Sequence, residues 1–179
     1  MMPTRNFARV GLDRVYLPFA AVAFEVISRC EARGASYIAT FGSRSLEEQA
    51  ELYRLYREGK GGKAAPAGLS AHNYGLAFDF CRDGDRAKPG LQPDWRASAF
   101  KELGEESQRA GLVWGGTFAD APHVQWPSYV NATDLAPLRA LATREGVAAV
   151  WMRLDKERSS PFWRAANPKL AAELARLGF

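Results

Sequence analysis

The sequence predicts an α+β fold: a small antiparallel sheet flanked by helices, followed by a helical C-terminal extension. Two observations carry that prediction. Short β-branched and aromatic runs bounded by glycine alternate with longer segments of helical periodicity, and beyond about Asn131 the chain turns rich in Ala, Leu and Arg. A chain of 179 residues suffices for one domain plus an appendage. The expected division is a main domain over residues 1–130 and a helical extension over residues 131–179.

Pro18, Phe19, Val22, Phe24, Val26 and Ile27, closed by Arg33-Gly34, form a first helix with proline near its start and glycine past its end. Ser36 to Phe41 is a strand closed by Gly42, and Arg44 stands at its exit. Ser45-Leu-Glu-Glu48 has the form of a capping box, a hydroxyl with a carboxylate three residues on, and opens a helix through Tyr56 that stops at Gly59. Leu46, Gln49, Tyr53 and Tyr56 share a face of it. Gly59 to Gly68 holds glycines, a proline and two lysines, so it is a loop.

Leu76 to Cys81 alternates as a strand does, and Arg82-Asp-Gly-Asp85 supplies a turn in which Asp83 and Asp85 are turn formers. A third helix is expected from about Trp95 to Ala110, ending at Gly111, and a short strand from His123 to Trp126. In the tail, Thr133 is the expected cap of a helix to Arg144. Gly146 breaks it, a second helix runs from Val147 to Arg158, and Asn167-Pro168 opens a last one ending at Gly178.

Nearly half of the residues are apolar and a quarter charged, the balance of an ordinary globular protein. The net charge of +4 is scattered, with no like-charge block to bind nucleic acid, and supports only a mild affinity for anionic surfaces. Two cysteines, Cys30 and Cys81, make no disulfide framework or Cys-x-x-Cys pair and read as small buried hydrophobes. The N-terminus shows no apolar run with a cleavage site, and the stretch Phe19–Ile27 is too short to span a bilayer. The expectation is a monomeric protein made in the cytoplasm without a Sec-type signal.

Both histidines of the chain lie in metal-site chemistry: His72 in Ser70-Ala-His-Asn-Tyr-Gly-Leu-Ala-Phe-Asp79, His123 in Asp120-Ala-Pro-His-Val-Gln-Trp126. Imidazole and carboxylate are the usual ligands of a catalytic zinc, which keeps three protein ligands and an open position for water. His72, Asp79 and His123 supply two nitrogens and an oxygen. A lone histidine is more often a surface or satisfied core residue, but Asp79 between two phenylalanines is costly to bury without a cation. Asp120, three residues before His123, is placed to take a proton from zinc-activated water; by itself it is a turn or cap before Pro122.

These motifs resemble the M15-type zinc peptidases, which include D-Ala–D-Ala carboxypeptidases, VanX-like dipeptidases and phage L-alanyl-D-glutamate endopeptidases. The resemblance runs from about the first helix to Trp126. It implies one zinc ion on His72, Asp79 and His123, Asp120 as base, and Arg44 on the substrate carbonyl oxygen. Ser70 matches a substrate-contacting position with turn capping as its alternative; Tyr74 and Trp114 are candidate cleft walls, with core packing as theirs.

Dipeptidases of this family carry Glu where this chain has Asp120, whereas the endolysin branch often has Asp. That implies a phage or prophage endolysin cutting the L-Ala–D-Glu bond of the peptidoglycan stem peptide, released to the wall by a holin. A D-Ala–D-Ala carboxypeptidase or dipeptidase with the same site is the alternative, and a non-catalytic zinc-containing binding module a third. The tail is either a buttress that uses Trp151, Phe162 and Trp163, or an envelope-contacting segment that uses Arg139, Arg144, Arg153, Arg158 and Arg164.

Overall fold

In a computed structural model, residues 4–179 are described. Met1, Met2 and Pro3, which open the segment read for an export signal, lie outside them. A 16-residue helix α1 (Leu17–Ala32) starts with Pro18 in its first turn and buries Phe19, Val22, Val26 and Ile27 against the sheet. Its periodic apolar face is what the sequence displays. The sheet comprises β1 (Ser36–Phe41), β2 (Ala77–Asp83), β3 (Pro93–Asp94), β4 (Val113–Trp114) and β5 (His123–Gln125). Its order is β1-β2-β5-β4, with β3 on β2 beyond the reach of β5. All of these pairings are antiparallel.

β2 is the centre of this arrangement, and its alternation sorts side chains by face. Phe78 and Phe80 point into the core, where Phe78 stacks on Phe19 with ring centroids 5.2 Å apart and meets Phe7 edge-on at 5.1 Å. Asp79, between them, faces the other way. The register places Asp79 directly opposite His123 on β5 and opposite Phe41 on β1. A bulge between Ala39 and Phe41 frees Thr40, whose hydroxyl donates to the Asp79 carbonyl at 3.1 Å.

Helix α2 (Leu46–Arg57) opens on the full capping box: the Glu48 amide donates to Ser45 Oγ and the Ser45 amide to the Glu48 carboxylate. Of its expected common face only Gln49 is buried. The third helix is shorter than expected. Trp95 is exposed and extended chain leads into a 3-10 turn at Ala97–Phe100, so that α3 proper is Lys101–Arg109. Asp94 causes the delay, since its carboxylate accepts from both the backbone and the guanidinium of Arg96. β2 likewise runs two residues into the expected turn, because β3 pairs with Arg82 and Asp83. Asp85 does form a turn, accepting from the Ala87 amide. Cys30 and Cys81 are buried free thiols, and burial pushes Cys30 up to about 12.

After Asn131 come α4 (Ala132–Glu145), α5 (Val147–Arg158), α6 (Pro161–Ala166) and α7 (Pro168–Arg176). The cap of α4 is Asn131, whose side chain accepts from the Asp134 amide, rather than Thr133. α6 has no counterpart in the expected elements; Ser160 caps it and Pro161 begins it. Leu135, Leu138, Val150, Leu154, Leu170 and Leu174 join the same apolar cluster as α1 and the sheet. Trp163 stacks on Trp126 at 5.8 Å, and Trp151 Nε1–H donates to the Tyr74 carbonyl at 2.8 Å. Phe162 is 84% exposed and makes no such contact, contrary to expectation.

Three of the tail arginines are engaged locally: Arg144 with Glu145, Arg153 with Glu157 and Arg158 with Asp155. Among the described residues no helix is long and apolar enough to cross a membrane. Residues 131–179 as a buttress lead to a measurable expectation. Leu138 is fully buried, so Leu138→Ala should lower the unfolding free energy in a denaturant titration by about 2–5 kcal/mol. A chain ending at residue 130 should lose cooperative melting, and a truncated protein with an unchanged melting temperature would contradict the buttress.

Candidate metal centre and cleft

Each donor of the His–Asp–His group is placed by a different local device. Ser70 is extended and is followed by a 3-10 turn over Ala71–Tyr74 that carries His72. Gly75 reverses the chain at φ 65°, and a Cβ there would lie 2.3 Å from the Arg14 carbonyl oxygen, so only glycine fits. The chain then enters β2, which holds Asp79. His123 begins β5 across from Asp79, where facing side chains are neighbours. Gly115 makes room on that side: a Cβ would stand 2.2 Å from the Asp120 carbonyl oxygen and 2.8 Å from His123 Cβ. The turn from Gly115 to Asp120 can therefore fold against His123, with the Asp120 amide donating to Gly115 O and the His123 amide to Asp120 O.

His72 Nε2 lies 3.2 Å and His123 Nδ1 2.9 Å from Asp79 Oδ1. One ligand atom from each residue falls within 4.8 Å of the others. The outer ring nitrogens fix which tautomer each neutral ring adopts. His72 Nδ1 is 2.6 Å from the Gly42 carbonyl, which can only accept, so Nδ1 carries a hydrogen and the neutral ring presents the Nε2 lone pair inward. His123 Nε2 donates in the same way to Gln125 Oε1 at 2.9 Å, leaving Nδ1 inward. Two nitrogen lone pairs and a carboxylate oxygen thus converge. A set of acceptors at this spacing matches a tetrahedral zinc site with one position left for water.

The electrostatics show a centre that attracts positive charge, whether a proton shared with the imidazoles or a metal cation. Burial acts to raise the Asp79 pKa, but the His72 and His123 imidazoles outweigh it and hold the carboxyl well below the usual carboxylate range. Burial acts to lower the pKa of His123, yet its hydrogen bond to Asp79 and the Asp79 charge raise it. Arg44 adds a cationic side chain, with its guanidinium 3.8 Å from Asp79 Oδ2.

The group lies in an open cleft of about 710 Å³. Arg44, Ser70 and Asp120 line it with the His–Asp–His donors, as do Lys63 of the 59–68 loop and the apolar Leu52, Phe118, Val130 and Leu135. Asp120 sits on the exposed rim, where partial desolvation by the cleft walls, reinforced by Asp79, pushes its carboxyl above the usual range against the pull of His123. Tyr74 and Trp114 are not part of the lining, a correction to the sequence-based expectation. Tyr74 is fully buried with its hydroxyl donating to Gly68 O, and Trp114 packs on Gly104 of α3 with its indole N–H donating to Ala121 O.

Three residues that sequence reasoning left without a role complete the surroundings. Gln49, 1% exposed, accepts from Arg44 and donates to the Ala65 carbonyl. Asn73 donates to the Arg44 and Ser45 carbonyls and accepts from the Gly68 amide, fastening the loop to the site. Gln125 accepts from His123 and donates to the Tyr129 carbonyl at 2.9 Å. Their signal in the sequence was a polar side chain at a position of apolar periodicity: Gln49 on the buried side of α2, Gln125 inside a strand.

Residues 63–126 match a peptidase family model described as D-alanyl-D-alanine carboxypeptidase. The peptidoglycan L-alanyl-D-glutamate endopeptidase CwlK of Bacillus subtilis (strain 168) is 38% identical over 105 residues, covering 52% of this chain and 62% of that protein. The chain thus spans about three fifths of the length of that relative. Among solved structures, VanYB in complex with D-alanine-D-alanine has a TM-score of 0.48 at 19% identity, covering 74% of this chain and 78% of that one. A VanY D,D-pentapeptidase variant from a VanB-type vancomycin-resistance cassette, in complex with Zn(II), has a TM-score of 0.49 at 19% identity, covering 70% and 78%. The 63–126 match contains His72, Asp79, Asp120 and His123, so it is the segment carrying the candidate metal centre that is similar to this peptidase family.

Proposed function

We propose that this chain is a zinc-dependent peptidoglycan peptidase that acts as a monomer on the stem peptide and cuts its L-Ala–D-Glu bond. The observation that carries the proposal is the convergence of three inward-facing acceptors, His72 Nε2, Asp79 Oδ1 and His123 Nδ1, in a cleft that also presents Asp120 and Arg44. Zinc held there would supply a Lewis acid and bring the pKa of water to ~7. Asp120 takes the proton of the attacking water and returns it to the leaving amine, a task to which its raised pKa is suited. Arg44, held by Gln49, donates to the carbonyl oxygen as negative charge develops on it. Ser70 contacts the peptide from the cleft wall, and Leu52, Phe118 and Val130 offer apolar surface to its alanine side.

The choice of bond is supported by the likeness to CwlK and by aspartate, not glutamate, at position 120. The family model's description favours a second reading, a D-alanyl-D-alanine carboxypeptidase with the same site. Action as a phage-type lysin released by a holin is part of the proposal and rests on the endolysin-like wording around His72 and His123.

Mass spectrometry of digested muropeptides tests the bond: new N-terminal D-Glu is expected, and free D-Ala with intact L-Ala–D-Glu would establish the carboxypeptidase instead. Asp120→Ala should lower kcat by roughly 10²–10⁴-fold while zinc content stays at wild-type level. Arg44→Ala should lower it by roughly 10²–10³-fold. Chelation should abolish turnover and added zinc restore it; a zinc-loaded protein with no turnover on any peptidoglycan would point to a binding module. For the lysin role, cells producing the protein should stay intact until their membrane is permeabilised.

A further inference from the structure

The ring of His123 has two ways to lie in its slot, and only one serves a metal. As placed, Nδ1 faces Asp79 and Nε2 faces Gln125. Turned over about its Cβ–Cγ bond, the ring would present Cδ2 to Asp79 and Cε1 to Gln125, removing one ligand and both hydrogen bonds. Gln125 is 5% exposed, and its own amide could also point either way. The Tyr129 carbonyl decides this: it needs a donor, takes the Gln125 Nε2–H at 2.9 Å, and so leaves Oε1 facing His123.

We propose that Gln125 is a positioning residue for the metal centre, fixing both the ring orientation and the tautomer of His123 through a relay that begins at the Tyr129 backbone. The relay rests on the zinc reading above and extends it to a residue that touches neither metal nor substrate. Tyr129 is itself held, since its hydroxyl donates to Glu157 of α5 at 2.7 Å. The ordering of His123 therefore starts in the C-terminal helices. A hydrogen-bond partner to the far nitrogen of a ligating imidazole raises metal affinity about 10–100-fold.

The test compares wild type, Gln125→Met and Gln125→Glu by competitive chelator titration of zinc and by long-range ¹H–¹⁵N spectra of the imidazoles, which two histidines make easy to assign. In the zinc-loaded wild type, His123 should bind through Nδ1 with Nε2 protonated. Gln125→Met should weaken zinc binding about 10–100-fold. Gln125→Glu keeps an acceptor for Nε2–H, so it should recover most of that loss even though its second oxygen meets the Tyr129 carbonyl and lowers the melting temperature. Equal affinity in wild type and Gln125→Met, equal losses in both variants, or a wild-type His123 bound through Nε2 would each overturn the relay. A wild type that bound no zinc would overturn the metal reading and the relay with it. Because the ring assignment is read in the wild type, the proposal stays testable even where a variant fails to fold.

Discussion

The cross-strand pairing of Asp79 with His123 is the constraint on which the rest of the structure depends. Side chains alternate along a strand, so a slip of one residue between β2 and β5 would turn Asp79 into the core and Phe78 or Phe80 into the cleft. Phe7, Phe19 and Phe24 oppose that slip, because they form the aromatic slot into which Phe78 and Phe80 fit. The register that packs the core thus also brings a carboxylate against an imidazole. An isolated buried carboxylate would be destabilising, and here the neighbouring cationic and acceptor groups give it a defined use.

Around that pair two neutral amides order the site alongside the Arg44–Asp79 ion pair. Gln49 and Gln125 are used alike: each is buried, turns its oxygen to a site residue, and spends its NH₂ on a backbone carbonyl of an adjoining loop. Such a side chain fixes direction without adding net charge to the cluster. It also makes each loop part of the site. The 59–68 loop is tied to Arg44 through Ala65 and Gln49, and the segment after β5 to His123 through Tyr129 and Gln125. Rigid orientation of groups that are only acceptors or donors in one direction is how a site is prepared before its ligands arrive.

Much of this was legible in the sequence because it is local. The ten-residue spacing from Ser70 to Asp79 encloses a turn that only Gly75 can make and a strand whose alternation is plain, so His72 and Asp79 could be related without knowing the sheet. The capping box at Ser45 and the glycine stops are also contiguous signals. What failed were features decided at a distance. Tyr74 and Trp114 are aromatic residues flanking a motif, and whether such a ring faces a cleft or the core depends on Gly68, Gly104 and Ala121, none of which declares itself in sequence. The start of α3 is the local exception: Asp94 captures Arg96 and delays the helix, a competition that periodicity does not register. The roles of Gln49 and Gln125 required knowing which backbone carbonyls would lie nearby.

The C-terminal helices are best understood from the same interactions. Their core contacts alone would make them ballast, but the polar ones are directed at the site's supports: Trp151 to the carbonyl of Tyr74 in the turn that bears His72, Glu157 to the hydroxyl of Tyr129, and Asp155 to Tyr16, whose amide donates to Gly75. One helix, α5, thus bonds to residues that support both histidine-bearing segments. The engagement of Arg153 and Arg158 with carboxylates of that same helix follows, since Glu157 and Asp155 each serve a tyrosine on one side and an arginine on the other. Charge that would otherwise favour an anionic surface is occupied in holding the helix's acidic groups in place, and the physical case for a buttress is stronger than the case for an envelope-binding segment.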